Sequence, residues 1–215
     1  MRILLIRHGD TEYNAKAIFR GTLDVPLSDT GIEQARLTGA ELARTKISLI
    51  LSSPLSRALD TARAIAEKQV SFPVLKADDS FTDINFGDWQ GRSREEVAAA
   101  YPDLFSIWMN EPHLARFPRG ESIHDAFLRA SSGLKRHVAD DAKEIIAVVS
   151  HRVIIKLLVL FAIGLSESEF WRIHVDTCGI SVIDYDHIRG KFVLVRHNSI
   201  SHLSPLFGKM SSHDF

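Results

Sequence analysis

Two histidines and two arginines stand where apolar runs end. The run Ile3-Leu4-Leu5-Ile6 leads straight into Arg7-His8-Gly9. A later run, Ile145-Ile146-Ala147-Val148-Val149, leads into Ser150-His151-Arg152. A third, residues 47–51, ends in Ser52-Ser53-Pro54-Leu55-Ser56-Arg57. Such short runs read as buried strands. Open α/β folds bind ligands at the carboxyl ends of their strands. One histidine there would as easily be a surface or capping residue. His8, His151, Arg7 and Arg57 delivered together are equipment for holding a phosphoryl group and attacking it. Guanidiniums are planar donors that bind phosphoryl oxygens bidentately. An unprotonated imidazole is a nucleophile.

The elements that position these residues alternate between strand and helix signals, which predicts an α/β rather than an α+β fold. Thr30 and Glu33 have capping-box spacing for a helix running to about Arg44, with Ile32, Ala35, Leu37, Ala40 and Leu42 on its apolar face. Pro54 suits the first turn of the next helix, which carries Leu55, Ala58, Leu59, Ala62, Ile65 and Ala66. Residues 72–75 are a short strand candidate. The stretch 78–120 differs: it holds Phe81, Phe86, Trp89, Trp108 and Phe117 with Pro102, Pro112 and Pro118. It reads as an excursion over the site edge rather than a second domain, with short helices at 93–100 and 103–109 and the tryptophans in the core. A helix at 122–138 follows, with Ile123, Phe127 and Leu134 inward. The strand 145–149, a helix 152–163 closed by Gly164, and strands near 179–185 and 191–196 complete one domain, 1–208. The tail 209–215 is expected to fray.

Composition narrows the function classes. The chain has 215 residues, 45% hydrophobic and 25% charged, with a net charge of −1. That is an ordinary globule. No basic stripe argues for nucleic acid and no basic amphipathic helix argues for a membrane surface. Cys178 is the lone cysteine, so no internal disulfide forms, and a reducing, cytoplasmic setting is expected. It reads as a buried structural thiol. No signal peptide is visible, and the longest apolar run, 154–163, is broken by Lys156 and is shorter than the ~18 residues of a membrane span. His113, His124, His137, His174, His187, His197 and His213 are scattered without zinc-ligand spacing. No metal and no cofactor are expected.

Read in order, several segments resemble the histidine phosphatase superfamily, also called phosphoglycerate-mutase-like. They are Arg7-His8-Gly9-Asp10-Thr11-Glu12-Tyr13-Asn14, Gly21-Thr22-Leu23-Asp24-Val25-Pro26-Leu27-Ser28, Ser52-Ser53-Pro54-Leu55-Ser56-Arg57-Ala58, residues 81–91, and Val149-Ser150-His151. The resemblance covers essentially the whole chain. It implies a single three-layer domain with a mostly parallel sheet flanked by helices. It also implies a phosphohistidine on His8, with Arg7 and Arg57 on the phosphoryl oxygens and His151 donating in the transition state. Asn14, and backbone near Gly21 and Thr22, would add phosphate contacts. The leaving oxygen needs a proton, which relatives supply from a Glu. The matching position here is Asp83, a shorter acid that must stay protonated near neutrality. Two further departures are Arg152, where the family often has Gly, and Arg20, where many relatives are uncharged. Each arginine either joins the site rim or points to solvent. His202 lies in an Asn-to-His-Leu segment that many relatives share, and is a candidate rim residue.

Phosphatase is expected over phosphoglycerate mutase, because the acid segment lacks the basic element of the mutases and the excursion is short. A non-catalytic phospho-ligand-binding protein is the rival from another class, but a binder has no need of a nucleophile. The expected partner is a small phosphomonoester, not nucleic acid or membrane. Oligomeric state stays open, a homodimer included. Segments around 110–122 and His202 also resemble the metal-independent phosphoserine phosphatases. The rim charges Arg20, Arg116, Arg119 and Arg152, with His202, suit a small phosphorylated acid.

Overall fold

The computed structural model describes residues 1–139 and 144–209. Among them six strands form one sheet: β1 (Arg2–Arg7), β2 (Leu49–Ser52), β3 (Val74–Ala77), β4 (Ile145–Ser150), β5 (Ile180–Asp186) and β6 (Lys191–Ser199). Their order is β3-β2-β4-β1-β5-β6. The first four in that order run parallel, and β5 and β6 run antiparallel. Side chains alternate between sheet faces. Ile3 and Leu5 join Leu49, Leu51, Ile146 and Val148 on one face. Leu4 and Ile6 join Ile50, Ala147 and Val149 on the other. A sheet apolar on both faces must be covered on both.

Helices α1 (Glu12–Ala15), α2 (Asp29–Leu42), α3 (Ser56–Ala66), α4 (Arg94–Ala100), α5 (Pro102–Asn110), α6 (Ile123–Val138) and α7 (Arg152–Ile163) supply the cover. Leu42, Ala58, Ala62 and Ile65 of α2 and α3 close one face. Helices α6 and α7 close the other. Ser122 and Asp125 form the capping box that starts α6. Gly164 adopts φ 73° and ends α7, the left-handed position that glycine fills without strain. The 78–120 stretch contributes Phe86, Trp89, Trp108 and Phe117 to the same core as α6 and α7. Both tryptophans are fully buried.

Several elements differ from their sequence-based positions. Helix α2 starts at Asp29, capped by Ser28, whose hydroxyl accepts from Gly31 N. Ser28 is itself tied to Asp10, so docking on the first loop overrides the Thr30–Glu33 spacing. The buried face is therefore Gly31, Gln34, Ala35, Thr38, Gly39 and Leu42, while Ile32 faces out and Glu33 pairs with Arg36. Strand β3 begins at Val74 because parallel pairing aligns Leu49 with Val74, and Phe72 is left 89% exposed. Pro54 precedes α3 rather than joining it, and β6 runs on to Ser199. Residues 201–209 form 3₁₀ turns against α2, with Leu203 and Leu206 buried. The tail beyond Lys209, with His213, lies outside the described residues.

Helix α2 approaches the first loop so closely that a Cβ on Gly31 would sit 2.0 Å from the Asp10 carbonyl oxygen. Backbone cannot swing away as a side-chain tip can. Gly31→Ala is expected to cost ~1–3 kcal/mol, the usual penalty of overpacking, read as a lower urea midpoint. An unchanged midpoint would mean that the two segments separate at no cost.

Candidate active site

The carboxyl ends of β1, β2 and β4 meet in register. Arg7 lies opposite Ser150, and His8 N donates to Ser150 O at 2.9 Å. Gly9 N donates to Thr61 Oγ1 of α3 at 3.1 Å, and a Cβ on Gly9 would meet Gly31 O at 2.5 Å. It is this close approach of α2 that requires glycine here. The turn places His8 Nδ1 2.6 Å from its neighbour's carbonyl, Gly9 O. A carbonyl only accepts, so Nδ1 carries the proton and Nε2 keeps its lone pair. Nε2 is buried, with no hydrogen-bond partner among the described residues. Burial first, then the charges of Arg57, Arg20 and Arg7, push the His8 pKa well below its ordinary value. Burial and charge together favour the neutral ring, with its lone pair on Nε2.

His151 caps α7 and its ring lies 5.1 Å from that of His8. Its Nε2 is 2.7 Å from Ser53 Oγ. Ser53 Oγ already accepts from Leu55 N, and its buried hydroxyl proton finds its acceptor in Nε2. That leaves the proton of His151 on Nδ1, 3.7 Å from Asp83 Oδ2 and with no hydrogen-bond partner among the described residues. Burial, with Arg57 and then His8 next, holds the His151 pKa well below normal.

Arg7 and Arg57 are wholly buried. Arg7 Nη1 donates to Val175 O at 2.8 Å. Arg57, in the first turn of α3, donates to Leu23 O and Gly21 O, each at 2.8 Å, and to Asp83 Oδ2 at 3.4 Å. Asp83 Oδ1 accepts from Ile84 N at 3.0 Å. Burial raises the Asp83 pKa, against the opposing pull of Arg57, Arg20 and others. His8, His151, Arg7, Arg57 and Asp83 are thus one cluster.

Asp83 also lines a pocket whose walls include Asn14, Arg20, Gly21, Phe86 and Arg152. Thr11 donates to Asn14 Oδ1 through both N and Oγ1, which fixes the amide. Thr22 turns away, binding Gln90 Oε1 through N and Oγ1. His202 is not brought to the cluster: its Nε2 lies 3.1 Å from Thr38 Oγ1 on α2. Arg119 pairs with Asp88, and neither it nor the exposed Arg116 lines the pocket.

Sequence reasoning missed the residues that hold this cluster from behind. Arg129 of α6 donates to the carbonyls of Asp79, Ser80, Thr82 and Asp83 at 3.1, 2.9, 2.9 and 3.4 Å, and pairs with Glu121. Asn198 binds Asp176 through Oδ1 and Nδ2, beside the Val175 carbonyl that receives Arg7. No single residue type announces a partner that is backbone. Among the described residues no three His, Cys, Asp or Glu side chains gather as a metal site.

Residues 3–199 match the family model described as histidine phosphatase superfamily, branch 1. The chain is 33% identical to phosphoserine phosphatase 1 of Hydrogenobacter thermophilus, over 96% of each chain. It is 30% identical to the adenosylcobalamin/alpha-ribazole phosphatase of Escherichia coli, over 91% of this chain and 94% of that one. It superimposes on the solved structure of Bacillus stearothermophilus YhfR with a TM-score of 0.87 and 27% identity, over 94% of this chain and 98% of that one.

His8 and His151 should titrate below the ordinary histidine range in an NMR pH series. The unfolded chain binds protons at these positions more readily than the folded one. Their contribution to stability is therefore complete above about pH 6.5 and is lost as pH falls through the folded values. Ordinary midpoints, or stability flat from neutrality to pH about 5, would contradict the burial argument.

Proposed function

The chain belongs to the histidine phosphatase superfamily, and from that premise we propose how its site cleaves a phosphomonoester. Arg7 and Arg57 draw the phosphoryl dianion in and neutralise its oxygens. His8 Nε2 attacks phosphorus. The P–N bond forms as the P–O ester bond breaks, and Asp83 passes its proton to the leaving oxygen. His151 Nδ1–H donates to an equatorial oxygen where charge accumulates. Water then gives a proton to the Asp83 carboxylate and attacks phosphorus. Inorganic phosphate leaves and His8 is restored. Asn14 adds a phosphate contact. Gly21 and Thr22 act through backbone, Gly21 by fixing Arg57 and Thr22 by tying its loop to Gln90.

The observation that carries this reading is the buried, neutral Nε2 of His8, set among two guanidiniums and a second imidazole with a raised-pKa carboxyl beside them. A site that only bound phosphate would need the cations but not the nucleophile or the acid. The protein's own cations do the neutralising, so no step calls for a metal or cofactor. No helix of the described residues is long and apolar enough to cross a membrane. Burial pushes the Cys178 thiol up to about 12, which keeps it inert.

His8→Ala should abolish turnover of an aryl phosphate without unfolding the chain, and alkali-quenched wild type should carry an acid-labile phosphoryl group on His8. A label on serine or aspartate would overturn the mechanism. Turnover should survive exhaustive chelation; restoration of an apoenzyme by a metal would count against it.

Asp83→Asn should slow alkyl phosphates by ~10²- to 10⁴-fold while sparing an activated aryl phosphate, whose phenolate leaves unaided. Arg129→Gln should show the same leaving-group pattern with smaller losses, since it loosens the acid's backbone and leaves the acid present. Equal losses on both ester types would make Asp83 structural.

A further inference from the structure

One loop grips both the side chain and the backbone of the Arg7–His8 segment. The Arg7 guanidinium donates to Val175 O at 2.8 Å. Further along the loop, Cys178 N donates to Arg7 O at 3.1 Å and forks to His8 O at 3.4 Å, while Arg7 N donates to Gly179 O at 3.4 Å. Cys178 and Gly179 thus oppose the single residue Arg7, just beyond the regular pairing that ends at Ile6 and Ile180. That is a β-bulge at the strand end, a device that re-aims a side chain. His8 is held from both neighbouring strands: its N donates to Ser150 O at the end of β4, and its O receives Cys178 N from the residues before β5.

The first position of this bulge carries a side chain where glycine would fit without strain. Cys178 adopts φ 54°, in the left-handed region. Gly179 is required by contact instead, since a Cβ there would meet Asn198 Oδ1 at 2.1 Å. The Cys178 side chain is fully buried and its thiol is hydrogen-bonded to Thr38 of α2. Thr38 Oγ1 gives its one proton to Gln34 O at 2.8 Å. Its lone pairs are then left for donors. The Cys178 S–H is one donor. His202 is the other: its Nε2 lies 3.1 Å from Thr38 Oγ1, so Nε2 carries the proton. The His202 ring also rests against the Cys178 carbonyl. Gln34 extends the same line to the first loop, because its Oε1 accepts from Asp10 N at 2.8 Å.

We propose that Cys178 is a positioning residue for the nucleophile: Thr38 and His202 hold it in the bulge, and its N–H holds the Arg7–His8 backbone at the angle that presents His8 to phosphorus. It touches no substrate and its role calls for no thiol chemistry. The inference rests on the phosphatase reading of His8. It gives the C-terminal segment a task at a distance from substrate, where the structure puts His202.

Three substitutions test it. Cys178→Ala removes the donor and keeps the backbone strain. Thr38→Val removes the acceptor and keeps the shape. Cys178→Ser restores a donor. Turnover is measured well below each variant's urea midpoint, so that loss of fold does not enter. In Cys178→Ala and Thr38→Val, kcat and kcat/KM for an aryl phosphate should fall together, roughly tenfold, the pattern of lost transition-state alignment rather than lost binding. Cys178→Ser should recover most of that loss. The double variant should be no slower than the slower single one, because both cut the same hold. The Nδ1–H resonance of His8, set by its bond to Gly9 O, should move in the slowed variants. Should either of these fail to fold, His202→Ala cuts the same hold from its half-buried end and is judged by the same two readouts. Turnover that is unchanged, or that falls while the His8 resonance stays in place, overturns the proposal, as does a serine variant as slow as the alanine one. A wild type that forms no phosphohistidine would instead overturn the phosphatase reading, and the His8 resonance would still decide whether Cys178 positions the ring.

Discussion

Two buried guanidiniums govern how this molecule is built. Stripping an ion of water costs several kcal/mol even after relaxation, and Arg7 and Arg57 are both fully buried. They repel one another, and so does any neighbouring cation. The fold places backbone carbonyls on both, with the Asp83 carboxyl a further 3.4 Å contact of Arg57. Val175 O receives Arg7, and Leu23 O and Gly21 O receive Arg57. A carbonyl satisfies the N–H and leaves the positive charge in force, whereas a carboxylate would cancel the attraction that an incoming phosphate must feel. The loops carrying these carbonyls must then be rigid. Gln90 holds the 21–24 loop through Thr22, and Asn198 holds the 175–179 loop through Asp176.

The same burial sets three protonation states at once. Low dielectric favours the neutral form of any group. For His8 and His151 that favours the neutral, singly protonated ring; for Asp83 it shifts the balance toward the protonated carboxyl. The proposed nucleophile and the proposed acid are therefore biased by one cause acting on opposite chemistries. The arginines act on both in the same direction, disfavouring protons. That helps His8 and works against Asp83. A bound phosphoryl dianion offsets the arginines, so Asp83 becomes a better acid donor once substrate is in place.

Sequence legibility followed the range of the interactions involved. Helix α7 has the expected bounds, because Gly164 and the strand-end His151 are local signals. The start of α6 was likewise legible in Ser122. The clustered side chains were visible because strand ends are read from apolar runs, and the sheet then gathers those ends. What was not visible depended on distant backbone. Thr30 and Glu33 had the spacing of a cap, yet Ser28 won because Asp10 and Gly31 meet across the first loop. Ile32 looked like core and is exposed, since the face of α2 is chosen by glycine and threonine contacts. His202 sits on Thr38, a partner 164 residues away that no spacing could reveal.

The segment before Asp83 is held tightly. An aspartate has one methylene less than a glutamate, so the reach of this carboxyl comes from where its backbone is put. Phe81 is fully buried and Ser80 Oγ accepts from Arg136. Arg129 also gathers four carbonyls of residues 79–83 into one guanidinium, and Glu121 fixes that guanidinium from the other side. Ser150 Oγ adds a bond to Phe81 O at 2.7 Å, from the strand end next to His151. Hydrogen bonds to a charged group are worth ~1.5–3 kcal/mol each. A loop restrained by several of them has little freedom to drift. The acid segment is thereby referenced to β4, the strand that also delivers His151. Asp83 and His151 then keep a common frame, and Asp83 Oδ2 stays 3.7 Å from His151 Nδ1 without a long side chain to bridge the gap.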